Sequence, residues 1–349
     1  MSLLAPYLPA GRPVLVLAPM QDITDLPFWK VMHRYGGADI NYTEYFRVHK
    51  DSKPERQILE AIEENPTGRP VVAQMIGQDI PALVRTARVL QQKKVIGIDL
   101  NLGCPAPIVC RKNAGGGLLK HPEQIDEILG ALRAEIGIAF TVKTRIGYDD
   151  PGEFDRVLEV FVKHRIDAFT VHGRTVREMY RTRVHLGRIR QAVEALDAPV
   201  FANGNVLSVA LAHETLACTG AAGLMIGRGA IRNPWLFEQL RDDAAGRAPK
   251  QPTLRELREY IDILFHETRL PHLTEAANIS KMKKYMNFIG QGIGEEEAFL
   301  HAIRRAKTEA EFFGLCDEYL LNDEIFPAEP AVRALTCSRS LRMEAEGRT

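Results

Sequence analysis

The chain has no surplus of charge of either sign: Lys and Arg together number 45, as do Asp and Glu, over 349 residues. That balance excludes a protein held to nucleic acid by bulk charge, so any RNA contact has to come from a local basic patch. Cysteines are few, five in all, and the six-residue step from Cys104 to Cys110 fits neither the gap of zinc knuckles nor a Cys-x-x-Cys redox pair. No metal site is expected, and a reducing cytoplasm is. No apolar run approaches the eighteen or so residues that a membrane helix needs, so no membrane partner is expected. The opening stretch Met1 to Pro13 carries three prolines and lacks the apolar core of an export signal. Internal repeats and low-complexity segments are absent, as is a Gly-x-Gly-x-x-Gly after the first strand-like run.

What the chain does have is alternation. From Val14 to Leu240, short β-branched runs alternate with longer amphipathic ones, the pattern of parallel strands joined by crossover helices. Eight strands are expected: Val14 to Ala18, Ile40 to Thr43, Val71 to Met75, Val95 to Leu100, Phe140 to Thr144, Ala168 to Val171, Val200 to Ala202 and Gly223 to Ile226. Helices are expected between them, among others over Pro81 to Gln92, Pro122 to Ile136, Glu153 to His164 and Ser208 to Thr219. Eight such units favour an α/β fold of the (β/α)8 TIM-barrel type over a doubly wound open sheet.

After Leu240 the composition changes. Arg241 to Thr253, with Gly246, Pro249 and Pro252, reads as a linker. The expected division is a barrel over 1–245 and a small all-α helical domain over 246–349, with helices at Leu254 to Glu267, Ile279 to Ile289 and Glu295 to Phe313. The charged end, Ser338 to Thr349, is expected to fray.

In a barrel, reactive groups gather at the carboxyl ends of the strands, and polar residues follow these runs repeatedly. Pro19 and Met20 follow the first and Gln74 lies in the third; the fourth leads to Asn101 and Cys104, and Lys143 lies in the fifth. His172 and Arg174 follow the sixth, Asn203, Gly204 and Asn205 the seventh, and Gly227, Arg228 and Gly229 the eighth. Each alone is as readily explained by packing; their convergence on one rim is not. Loops after strands seven and eight recurrently bind phosphate in barrels, and glycines there let backbone N–H groups approach an anion while Arg228 adds a forked cationic donor. An ammonium inside a barrel rim is costly unless it meets an anion or polar ligand, which singles out Lys143. Such a cradle suits flavin mononucleotide (FMN), with a cation at the edge of the ring to stabilise its anionic reduced form. Cys104, where Gly103 and Pro105 stop the strand, is either a small buried hydrophobe or a reagent.

These motifs together resemble the tRNA-dihydrouridine synthase family. The matching residues are Ala18, Pro19, Met20 with Thr24 and Asp25; Gln74 within Val71 to Gly77; Asn101 to Pro105 with Gly115 to Leu119; Lys143 to Gly147; Val171 to Thr175; Asn203 and Gly204; and Met225 to Ala230 with Asn233 to Trp235. The helical end resembles the family's RNA-binding appendage more loosely, through Lys281 to Tyr285. The resemblance implies a flavin-bearing barrel that reduces the C5=C6 bond of selected tRNA uridines, using FMN and NADPH or NADH. It makes Cys104 the general acid; a thiol unperturbed by its neighbours is mostly protonated near neutrality, which suits that role. It makes Pro19, Met20, Gln74, Lys143, His172, Asn203, Gly204, Gly227 and Arg228 the cofactor contacts; the neighbouring Gln21 and Asn205 are expected to join them, and Asn101, Arg174, Lys281 and Lys284 are expected to contact the substrate. The glycines after Cys104 are expected to be the flexible part of a loop that carries the thiol to its substrate.

The chain departs from the family in places. Gln21 and Asp22 stand where many members have small residues or Glu-Gly, and Lys283, Lys284, Tyr285 stand where Arg-Lys-His is common. A monomer is expected. Two other classes remain open at this level: a flavin barrel acting on a free pyrimidine, and a non-enzymatic RNA-binding protein that uses the basic run Arg174, Arg177, Arg181, Arg183.

Overall fold

The apolar runs become strands because both faces are covered, by crossover helices outside and by barrel packing inside. The computed structural model describes residues 2–330. Its strands are β1 Val14–Leu17, β2 Ile40–Tyr42, β3 Phe46–Arg47, β4 Val71–Ile76, β5 Gly97–Leu102, β6 Ala139–Arg145, β7 Ala168–His172, β8 Val200–Asn203 and β9 Gly223–Ile226. All pair in parallel, in the order β2-β1-β9-β8-β7-β6-β5-β4-β3, and a further β2–β4 pairing (Asn41 with Val71, Tyr42 with Val72) closes eight of them into a ring. This is a TIM barrel. The extra strand β3 has only two residues and lies beside the end of β4.

Strand β5 runs two residues further than the sequence suggests at its carboxyl end, to Leu102, and β6 one residue further, to Arg145. The extension of β5 brings Asn101 into the ladder opposite Lys143, two residues beyond the Asp99–Thr141 pair. At the opposite end Leu4 is fully buried, and the Leu3 amide donates to Asp167 Oδ1 at 2.6 Å, so the chain start covers the bottom of the barrel.

The crossover helices begin as their cap residues dictate. Asp25, Asp79 and Ser208 accept from the amides of Phe28, Ala82 and Leu211, and Gly220 ends Val209–Thr219 in the left-handed conformation. Helix Leu236–Ala244 runs into the polar stretch expected to be linker.

Beyond it stand helices Leu254–Thr268, opened by a Thr253/Glu256 capping box, Glu275–Ile289, Ala298–Ile303 and Glu309–Leu320. The single helix expected over Glu295 to Phe313 is thus two. Glu296 and Glu297 have positive φ of 49° and 60°, and Thr308 caps a new start on the amide of Glu311. Ser338 to Thr349, expected to fray, lies outside the described residues. Arg232 joins the helices to the barrel by donating to the carbonyls of Ile289, Gln291 and Pro327, and the Tyr260 hydroxyl donates to Ile231 O. Among the described residues no helix is long and apolar enough to cross a membrane.

Candidate active site

At the carboxyl ends of the strands a cavity of about 520 Å³ opens. Pro19, Met20 and Gln21 from the first loop line it, as do Asn101 and Cys104, Lys143, His172, Asn203, Gly204 and Asn205, and Gly227 and Arg228. Of the residues expected to hold cofactor, only Gln74 is not in its lining. That side chain is fully buried, and its amide is engaged with Asp99 and Asn101 at 2.8 Å each.

Cys104 is half-buried, in the turn after β5. Its amide donates to Asn101 Oδ1 at 2.9 Å, and its carbonyl accepts from Gly116 N at 3.0 Å and from the Cys110 thiol at 3.5 Å. Gly115, Gly116 and Gly117 are buried in a 3-10 turn, Gly115–Lys120, and do not form the loose loop expected of them. A Cβ on Gly116 would lie 2.5 Å from Val176 Cγ2 and 2.9 Å from Cys104 O, and one on Gly117 2.6 Å from Cys110 O. Glycine stands there because nothing larger fits against the Cys104 turn. Tyr45, from the loop after β2, reaches the same cavity. Burial and the neighbouring Cys104 sulfur push its hydroxyl up to about 12, so it stays a hydrogen-bond donor.

The cavity is also cationic, and its cations adjoin the Cys104 turn, Lys143 pairing with Asn101 across the ladder. Lys143, Arg145 and Arg228 line the cavity, and among the described residues no carboxylate does. Burial, then the Arg145 charge, push Lys143 down to about 8, with Asp99 acting the other way. Arg145 donates to the carbonyls of Gly103, Thr175 and Met179. The Tyr180 ring has the guanidinium carbons of Arg145 at 5.2 Å and Arg228 at 4.5 Å from its centre, and Arg228 also donates to Asn205 Oδ1 at 3.2 Å. Burial, then the surrounding Arg145, Lys143, Arg174 and Arg228, hold His172 well below its usual range, so it is a neutral imidazole. Among the described residues three buried polar atoms here have no partner: Gln21 Oε1, His172 Nδ1 and Arg174 Nη1. Buried donors and acceptors are rarely left so, and together with the unbalanced cations they mark a site built for an anionic, hydrogen-bonding ligand.

The four expected substrate contacts divide. Asn101 lines the cavity and Lys284 is exposed, 3.5 Å from Asp22. Arg174 is 1% exposed, behind the cavity wall, with Nε on Thr182 O at 2.7 Å; it is no surface contact for RNA. Lys281 is mostly covered, with Nζ 2.9 Å from Thr268 O and 3.6 Å from Asp25, so its charge is already spent inside the fold. Sequence reasoning assigned no site role to Arg145, Tyr45, Tyr180 or Asp99. Arg145 and Asp99 carried a signal, since each lies two residues from a chosen rim residue and so on the same inward face. Tyr45 and Tyr180 come from loops and carried none.

A family model described as dihydrouridine synthase matches residues 16–322. The chain belongs to the dihydrouridine synthase family. A tRNA-dihydrouridine(16) synthase of Cupriavidus necator is 32% identical over 309 residues, covering 85% of this chain and 94% of the relative. One of Ralstonia nicotianae is 30% identical over 321 residues, 88% and 96%. A tRNA-dihydrouridine synthase B of Pseudomonas syringae pv. tomato is 33% identical over 230 residues, but these are 65% of this chain and 67% of the relative. A solved complex of 2-naphthoyl-CoA reductase with 2-naphthoyl-CoA aligns with a TM-score of 0.52 at 14% identity, over 67% of this chain and 50% of that one, a likeness of fold alone. The span matched by the dihydrouridine synthase model runs through barrel and helices alike, so both parts belong to the family's architecture. As a member of that family this chain is an oxidoreductase acting on a CH–CH bond.

Proposed function

We propose that this protein is a flavin-dependent tRNA-dihydrouridine synthase that takes FMN in the barrel mouth and reduces uridine 16 of tRNA with NADPH or NADH. The observation that carries the reading is the cavity itself, which holds the Cys104 thiol together with Lys143, Arg145 and Arg228 and has no carboxylate in its lining among the described residues. The fit of FMN rests on the unpartnered Gln21 Oε1 and His172 Nδ1, both on residues that line the cavity. Asn203 to Asn205 and Gly227 with Arg228 would hold the phosphate, Pro19, Met20 and Gln21 would cover the ring, and Lys143 and the neutral His172 would face its polar edge. Bound there, the flavin supplies the two electrons that reduce a C5=C6 bond.

The chain's own residues do the rest. Cys104 holds the proton that goes to C5, Tyr45 stands beside the sulfur as a donor, and Asn101 meets the pyrimidine edge. The uridine has to leave its stack, at a cost of a few kcal/mol, which contacts beyond the barrel offset. Lys284 on the helical part, expected from residue 246 on, and Arg181 beside the mouth supply exposed cations for that RNA, with the half-buried Lys283 next to Lys284. Position 16 is favoured because relatives named for it align along barrel and helices together. Family membership favours RNA over a free pyrimidine, and the cytoplasm is where the protein would meet tRNA.

The test uses purified protein, FMN, NADPH and an unmodified tRNA transcript. Dihydrouridine at position 16 is expected. A protein that carries no flavin, or that reduces free pyrimidine and leaves tRNA untouched, overturns the reading.

A further inference from the structure

Beneath the cavity runs a chain of side-chain hydrogen bonds whose direction is set at both ends. At the top, the amides of Gly103 and Cys104, which can only donate, both lie 2.9 Å from Asn101 Oδ1. That places the Asn101 oxygen toward the turn and its Nδ2 toward Gln74 Oε1, at 2.8 Å. Gln74 therefore shows its nitrogen to Asp99 Oδ2, at 2.8 Å. Asp99 is fully buried, and Thr141 donates to its other oxygen at 2.6 Å.

We propose that Asp99 and Gln74 are positioning residues: they fix which way the Asn101 amide faces and, through it, hold the Cys104 turn and leave Asn101 able only to donate to a ligand. The inference rests on the function proposed above and deepens it. Both lone pairs of Asn101 Oδ1 are used by backbone amides and one Nδ2 hydrogen by Gln74, so a single N–H remains to face the cavity. A pyrimidine carbonyl is accepted there, while an exocyclic amine or a ring N–H is refused.

A carboxylate suits the buried end because it accepts through both oxygens. A glutamine left without that acceptor is free to rotate, and with the Gln74 amide reversed the Asn101 oxygen is drawn away from the turn. Fully satisfied buried networks of this kind rigidify what they hold, and partly satisfied ones do not.

The test compares Asp99→Leu, which removes the acceptor, with Asp99→Asn, which keeps one, in the flavin-loaded protein. Two readouts are needed. Exchange of the Cys104 amide hydrogen with solvent requires no tRNA, and single-turnover uridine reduction separates rate from tRNA affinity. For Asp99→Leu we expect exchange faster by about tenfold or more and turnover slower by a similar factor, with KM for tRNA and flavin reduction by NADPH unchanged. Asp99→Asn should restore both. If Asp99→Leu fails to fold, Gln74→Met, close to it in volume, breaks the chain at its middle and should give the same pair of effects. Wild-type exchange and turnover in the broken variants overturn the proposal, as does equal impairment of Asp99→Asn and Asp99→Leu. A wild-type protein that leaves tRNA unreduced refutes the proposed function, while the exchange result still decides this one.

Discussion

The guanidinium carbon of Arg228 lies 4.5 Å from the centre of the Tyr180 ring, so the cation that follows the last strand is held against an aromatic side chain from the loop after β7. Burial lowers the pKa of that guanidinium, and an anion is what it lacks. Arg228→Ala should weaken FMN binding by about 10- to 100-fold, the range of one or two charge-assisted hydrogen bonds. Fluorescence titration of the flavin-free protein measures it, and an unchanged Kd removes Arg228 from the phosphate site.

The Cys104 turn leans on Gly116, where an added methyl meets Val176 and the Cys104 carbonyl. Gly116→Ala should lower stability by about 1–3 kcal/mol, as overpacking does, and slow turnover with it. Urea unfolding reads the first effect. Were the glycines a free hinge, the substitution would leave the unfolding midpoint where it is.

Lys281 and Lys284 sit three residues apart, yet they should behave differently. Lys284 is half-exposed and near only Asp22, whereas Lys281 is bonded inside the fold. Lys284→Ala should weaken tRNA binding and reduce the slope of log K against log salt by about 1. Lys281→Ala should lower Tm and leave that slope alone. Identical salt slopes for Lys284→Ala and wild type contradict the assignment.

Glu44 accepts from the Ile23 amide at 3.2 Å, and burial, then the Asp25 charge, raise its pKa to about 7 from an ordinary 4.5. Because the folded-state value lies above the unfolded one, the folded protein holds this proton more tightly. Stability is therefore lost as pH rises from about 4.5 through about 7. Glu44→Gln keeps the acceptor and discards the charge, so it should melt higher than wild type at pH 8 and with it near pH 4. An equal gap at both pH values contradicts this.

The strands were legible in the sequence because burial on both faces leaves near-continuous apolar runs, and the polar residues that break them at one end, Asn101, Lys143 and His172, mark the rim. Misread residues share one cause: a sequence shows charge but not burial. Arg174, Arg177, Arg181 and Arg183 read as one patch, yet the backbone turns Arg174 inward and sends Arg177 out to Asp149. Tyr45 and Tyr180 were invisible because their place over the mouth depends on how loops fold back. The glycine triplet was seen and its meaning inverted, since tight packing and looseness both call for a residue without a side chain.

The most direct measurement is a map of dihydrouridine in tRNA from cells lacking the gene, before and after the wild-type protein or Cys104→Ala is restored. The account predicts that dihydrouridine disappears at position 16, returns with wild type, and stays about two to four powers of ten below it with a flavin-loaded Cys104→Ala. Unchanged dihydrouridine in the deleted strain, or full restoration by Cys104→Ala, would contradict it.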